Sequence, residues 1–431
     1  METNKEILKF CEDHKLTEDQ FFGREMVKGD LLLNSLTKVP EGFNPTVGRD
    51  LYLNSLTKVP EGFNPTVEGS LYLNSVTEIP EGFNPIVGGN LWLDGLTDIP
   101  KGLTPIVGGN LHLGNVTKVP EGFNPTVEGS LYLNSVTEIP EGFNPIVGGS
   151  LFLDSVTKVP EEFNPTVGWD LFLDSLTEIP EGFNIIVGEN LYLNKVTKIP
   201  EGFNPIIGGT VFLQSLTKVP EGFSPTVGES LYLNSLVEIP KGFNPTIGWD
   251  LCLNSLTKVP KGFDPIIGGS IFFKNKTISE TKKPDPILTW KDGKYCSIDR
   301  IFAEVINRKT KDNIEIFKLK KICSEEYLFA VVKGNLAAHG KNLKSCLLDL
   351  RFKEGNRDVS SYKSLNLDSE LSFEDMVICY RVVTGACQFG VDKFIEGNLK
   401  NPKEKYKIRE IIELTENQYG GNVFSKFFLE S

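Results

Sequence analysis

Two residues in the last third of the chain are of the types that do covalent chemistry. Cys387 sits in Thr384-Gly-Ala-Cys-Gln-Phe-Gly390, and His339 sits in Ala-His-Gly. A thiol nucleophile needs a neighbouring base to take its proton. His339 is the sole histidine in that part of the chain, and folding alone would bring it to Cys387 or Cys346. Such a pair would serve a hydrolase or a ubiquitin-ligase-like transfer. The competing role, a buried and unreactive cysteine, is the commoner one. The sequence has no Walker loop, dinucleotide fingerprint, zincin helix or convincing carboxylate pair. The chain is therefore read as non-enzymatic, with no catalytic residue assigned beyond the candidates Cys387 and His339. Neither the seven cysteines nor the three histidines (His14, His112, His339) show zinc-ligand spacing. No metal or cofactor is expected.

A second set of residues recurs every twenty positions. Tyr52, Tyr72, Trp92, His112, Tyr132, Phe152, Phe172, Tyr192, Phe212 and Tyr232 form a row of rings, preceded by Leu32 and followed by Cys252 and Phe272. Such a row does the chemistry of binding. Outward rings are costly in water unless they stack on each other across strands or hold a ligand. The ten rings are taken as the candidate binding residues, for a protein or a glycan. Asn54, Asn74, Asp94, Asp154 and Asp174 run beside them, two positions on, as a polar rim of the kind found at recognition surfaces.

The element that must position these rings is a twenty-residue unit. Residues 51–70 read LYLNSLTKVPEGFNPTVEGS, and the register holds from Leu31 to Ser270 without insertion or deletion. A thirteenth copy starts at Ile271 and loses the pattern. A fixed period this short signals a solenoid of stacked coils. With Leu51 as position 1, apolar residues fall at positions 1, 3, 6, 9, 13 and 17. Positions 1 to 3 alternate in and out as a strand does, which predicts one long parallel sheet, roughly 60 Å from end to end. Position 10 is proline in every copy from Pro40 to Pro260, so the chain leaves the sheet there. The phenylalanines at position 13 are expected to stack as an inner spine. Glycines at positions 18 and 19 lead into the next strand, with Glu68, Glu128, Trp169 and Trp249 as substitutions. Position 8 carries Lys or an acid with mostly opposite signs on neighbouring coils, which predicts an exposed ion ladder of small energetic worth.

The flanks differ from the repeats. Residues 1–30 read as a helical N-terminal cap, with a helix over 3–13 and a capping box from Thr17 to Gln20. The solenoid is assigned to 31–276, a linker to 277–286 and a small α+β domain to 287–431. In that domain a hairpin is expected around Lys291-Asp-Gly293, with further strands near 302–307, 314–319 and 327–332. Helices are expected over 343–352, after a Ser372 cap, around 408–415 and over 423–429.

The net charge of −12 is unevenly placed. Residues 31–270 hold 12 Lys and Arg against 26 Asp and Glu. An acidic surface repels phosphates, so no direct nucleic-acid binding by the repeats is expected, and a basic protein partner suits it. No signal peptide is expected, and no run of apolar residues is long enough to span a membrane. Cysteines without pairing spacing fit a cytoplasmic protein.

The element LxLxxLTxIPxGF, seen as LYLNSLTKVPEGF at 51–63, resembles the short bacterial leucine-rich repeats of type III secretion effectors and of phage-borne repeat proteins. The resemblance covers 31–270. It implies a β-solenoid of leucine-rich-repeat type, about 12–13 coils, followed by a small α+β domain. The C-terminal part is similar to a module of repeat proteins from phages and mobile elements, whose activity is unknown. One position departs from the pattern. The asparagine usual at the buried bend is Leu56, Val76 or Val116 here, so the asparagine ladder is absent or comes from position 14 (Asn44, Asn64, Asn84). The expected function is a non-enzymatic protein–protein interaction scaffold that uses an acidic, aromatic-lined face. The resemblance adds a phage–host or anti-defence role inside the host cytoplasm. The alternatives are a Cys-dependent enzyme whose repeats recruit substrate, and a glycan-binding protein.

Overall fold

The computed structural model describes residues 2–274, 276–279, 281–298, 301–354, 359–386, 388–399 and 401–429. The chain divides into two units. One is Met1–Pro284 with Ile322–Ser324, and the other is Asp285–Lys321 with Glu325–Ser431.

The first unit is a parallel β-solenoid. Each coil places a short strand at positions 1–2, such as Leu51–Tyr52, and a second at positions 16–17, such as Thr66–Val67. Equivalent residues pair across one repeat, Leu51 with Leu71 and Thr66 with Ile86. The coils thus build two sheets, of 14 and 13 strands, where the period of the sequence had predicted one. The second sheet was hidden because a two-residue β-branched run between proline and glycine is too short to show alternation. A third side holds single bridges at position 8, such as Lys58 with Glu78. The expected ion ladder is sparse. Lys58 and Glu78 pair at 3.1 Å, and this is the one ion pair of that row among the described residues.

Positions 1, 3, 6, 13 and 17 point inward and fill the core. The phenylalanines stack as the expected spine, with ring centroids 6.1 Å apart at Phe43–Phe63 and 6.2 Å at Phe243–Phe263. Gly62 and most of its counterparts at position 12 have φ near +75°, which a side chain rarely tolerates. The asparagine ladder exists, and position 14 supplies it. The Asn64 N–H donates to Asn44 Oδ1 at 2.8 Å, and Asn64 Nδ2 donates to the Gly82 carbonyl at 3.0 Å. Polar residues at position 20 form another such ladder, as where the Ser70 N–H reaches Asp50 Oδ1 at 2.7 Å.

Both ends of the stack are closed. Helices α1 (Glu2–His14) and α2 (Glu18–Phe21) precede the first coil, and Thr17 and Gln20 form the capping box. Phe10 and Phe21 lie 5.1 and 5.3 Å from Phe43 and end the spine with rings. At the far end, Lys276–Ile278 folds back antiparallel on Ile271–Phe273. The Ile267 N–H donates to the Lys282 carbonyl at 2.8 Å, and Thr281 Oγ1 donates to the Ile267 carbonyl at 2.8 Å. The stretch that reads as a breaker therefore covers an otherwise open sheet edge.

The second unit opens with a six-stranded antiparallel meander: Ile287–Trp290, Tyr295–Ile298, Ile301–Lys311, Ile314–Lys321, Tyr327–Lys333 and Leu336–Gly340. Helix α3 (Leu343–Lys353) packs on its last two strands through Val331, Ala338, Cys346 and Leu350. Helices α4 (Phe373–Thr384), α5 (Gln388–Asn398), α6 (Ile408–Thr415) and α7 (Gly421–Leu429) follow. Helix α4 starts at Ser372, whose hydroxyl accepts the Asp375 N–H, and stops at Gly385 with φ +77°. The last strand and α5 were not foreseen. Leu-Ala-Ala-His-Gly has little strand propensity, and α5 contains Gly390 and Gly397.

Candidate functional site

The ring at position 2 follows a buried leucine and precedes another, so the strand geometry turns it outward. Each ring then meets its counterpart one coil away. Centroids are 4.6 Å apart at Tyr52–Tyr72, 4.5 Å at Tyr132–Phe152, 4.4 Å at Phe172–Tyr192 and 4.9 Å at Phe212–Tyr232. Their planes are within 3° to 12° of parallel. Tyr72–Trp92 is looser at 6.0 Å, and Trp92–His112 is tightest at 3.5 Å. All ten predicted binding residues belong to this single stack.

The stack decides what the row can bind. Neighbouring rings cover both faces of each inner ring, so only edges reach the surface. Cations, nucleobases and other planar partners bind aromatic faces. A sugar ring packing flat needs the same face. The face-on modes are thus used up within the protein, and much of the rim is self-paired as well. Asn54 Nδ2 donates to Asn34 Oδ1 at 2.9 Å, and Asn194 Nδ2 to Asp174 Oδ1 at 2.8 Å.

Unsatisfied charge gathers at one stretch of the stack. Burial raises the Tyr192 hydroxyl pKa first, and Asp170, Asp174 and Glu189 raise it further. The Glu189 carboxyl is held above its usual range by burial, then by the charges of Asp170 and Glu229. Two exposed indoles flank this region on the same row as Glu189 and Glu229. Trp169 is 57% exposed and Trp249 is 41% exposed, at the position where most coils carry glycine. The row reads Trp169, Glu189, Gly209, Glu229, Trp249, one residue per coil. Among the described residues neither glutamate has an ion-pair partner. Tryptophan is among the residues enriched at the energetic centres of interfaces. The sequence had shown both tryptophans as breaks in a glycine row. What it could not show was how far the two indoles stand exposed.

In the second unit, His339 is on the Leu336–Gly340 strand, paired with Ala330 and buried. Cys387 lies outside the described residues. The Cys346 thiol faces the Phe329 and Asn342 carbonyls at 3.2 and 3.1 Å. Burial pushes it up to about 11, the opposite of an activated nucleophile. Arg381 and Asp349 form a buried ion pair, and Asp349 Oδ2 also accepts the Gln388 N–H at 3.0 Å. This pair joins α3, α4 and the start of α5, and no residue pattern pointed to it. His339 lines a partly open cavity of about 690 Å³, along with residues of α4, α5 and α6.

Fold and site together define a repeat protein, a parallel β-solenoid of about 12 turns followed by a separate unit of antiparallel sheet and helices. Comparison with family models, curated proteins and solved structures finds no match. Among the described residues no helix is long and apolar enough to cross a membrane.

Proposed function

We propose that the protein is a non-enzymatic interaction scaffold whose solenoid holds a basic segment of a protein partner. The observation that carries this reading is the row Trp169, Glu189, Gly209, Glu229, Trp249 beside the ring stack. Its glutamates crowd like charges, and a lysine or arginine placed between them relieves that crowding. The Trp169 indole stands outside the stack, 57% exposed, and offers a face to guanidinium or ammonium groups. Ring edges along Tyr192, Phe212 and Tyr232 suit the aliphatic stems of the same side chains. The stacking argues against the glycan reading, because no run of ring faces is open. The repeat motif supports the leucine-rich-repeat type, and on that resemblance we assign the partner to the cytoplasm of a phage-infected host, where the complex would counter defence.

Affinity capture from host lysate tests this, with wild type beside the Trp169→Ala/Trp249→Ala and Glu189→Gln/Glu229→Gln double variants. A basic protein should be retained by wild type, released by added salt, and recovered at least tenfold less by either variant. Equal recovery by all three proteins would sink the proposal.

A further inference from the structure

Three sequence stretches that the solenoid reading leaves unused converge in the second unit. They are Thr384–Gly390, Glu410–Thr415 and Tyr419, and all contribute to the wall of the 690 Å³ cavity. The cavity is partly open to solvent, with Tyr419 exposed at its wall, and its volume falls within the span of about 300–1,000 Å³ of ligand sites. The wall is apolar along most of its length. Met376 and Val377 face it from α4, Val391 and Ile395 from α5, and Ile411 and Leu414 from α6. Two of its three hydroxyls, those of Tyr380 and Thr415, are already engaged, which leaves the Tyr419 phenol and the Gln418 amide as its other uncharged polar side chains. Tyr380 donates to the Tyr419 carbonyl at 2.7 Å, and Thr415 donates to the Ile411 carbonyl at 2.7 Å. A sugar or nucleotide would find few partners among them.

The basic groups sit on one side. Lys353, at the end of α3, donates to the Ala337 carbonyl at 2.6 Å, two residues from His339 on the same strand. Among the described residues no aspartate or glutamate lines the cavity. An apolar wall with one basic end and no acid matches a molecule with a long apolar body and a single anionic head. We propose that this cavity binds a free single-chain carboxylate, with the acyl chain along α4, α5 and α6 and the carboxylate at His339 and Lys353.

The test uses the full-length protein and dansyl-labelled undecanoic acid, displaced in turn by palmitate and by methyl palmitate. Saturable emission should appear, and palmitate should displace the probe at least about tenfold more effectively than its ester, since the ester lacks the charge-assisted hydrogen bond. Val391→Trp should abolish the signal with far-UV circular dichroism unchanged, and Lys353→Met should erase the preference for acid over ester. No saturable signal, or equal displacement by acid and ester, overturns the proposal. Full binding by a folded Val391→Trp protein does so too. If that variant does not fold, the acid–ester comparison on wild type decides.

Discussion

His112 is the one imidazole in a stack of phenol, phenyl and indole rings. It lies between Trp92 at 3.5 Å and Tyr132 at 4.4 Å, and its Nε2 is buried without a partner. A proton added there would be an unsatisfied donor in a poorly solvated place. Burial accordingly holds its pKa below 6.5, and the attraction of Asp94 is the smaller influence. The unfolded chain then takes up the proton first as pH falls. Stability is lost from about pH 6.5 downward until the folded-state pKa is passed. Replacing His112 with phenylalanine removes that loss. The melting-temperature advantage of His112→Phe should widen between pH 7.5 and pH 5, and parallel curves for the two proteins would contradict the assignment. The row to which His112 belongs was legible in the sequence, because period and outward position follow from the repeat alone. Ring coverage was not legible. It depends on the separation of coils and on side-chain torsions, which a residue pattern does not carry.

At the scale of the coil, the bend asparagine shows how one job can move along a repeat. In this solenoid position 14 satisfies the backbone that position 6 leaves to leucine or valine. Asn64 does so in both directions, since its Oδ1 accepts the Asn84 N–H while its Nδ2 reaches the Gly82 carbonyl at 3.0 Å. Asn64→Ala removes both bonds and should lower unfolding free energy by about 1–3 kcal/mol. Asn64→Asp keeps the acceptor and should cost roughly half as much by the same reckoning. Denaturant titration distinguishes the two, and equal losses would mean that the ladder does not act through the acceptor. The sequence contained this ladder only as one of two choices. Long elements with strong periodicity were the most legible, the solenoid register and α4 with its Ser372 cap, and turn chemistry alone marked the Asp-Gly hairpin. Elements made of few residues were not, since neither Thr66–Val67 nor Leu336–Gly340 has a period to read.

For the whole solenoid, the caps set where unfolding begins. Each coil touches only its neighbours, so stability is close to a sum of coil and interface contributions. Phe10 and Phe21 complete the spine at Phe43, and the fold-back at Lys276–Ile278 closes the other end. Deleting residues 1–25 should strip hydrogen-exchange protection from about the first two or three coils and leave the later ones protected. Uniform loss along the array would show one cooperative block instead. The stacked rings have a further consequence, in optics. Phenyl and phenol groups a few ångströms apart pass excitation readily to an indole, and Trp92 is the only indole within the stack. The ladder is in effect a light-harvesting wire with one sink inside it, in its fourth coil, and two more, Trp169 and Trp249, beside it. Energy arriving at Trp92 in a protein with Trp169 and Trp249 replaced by phenylalanine measures, without any label, how many coils remain in register.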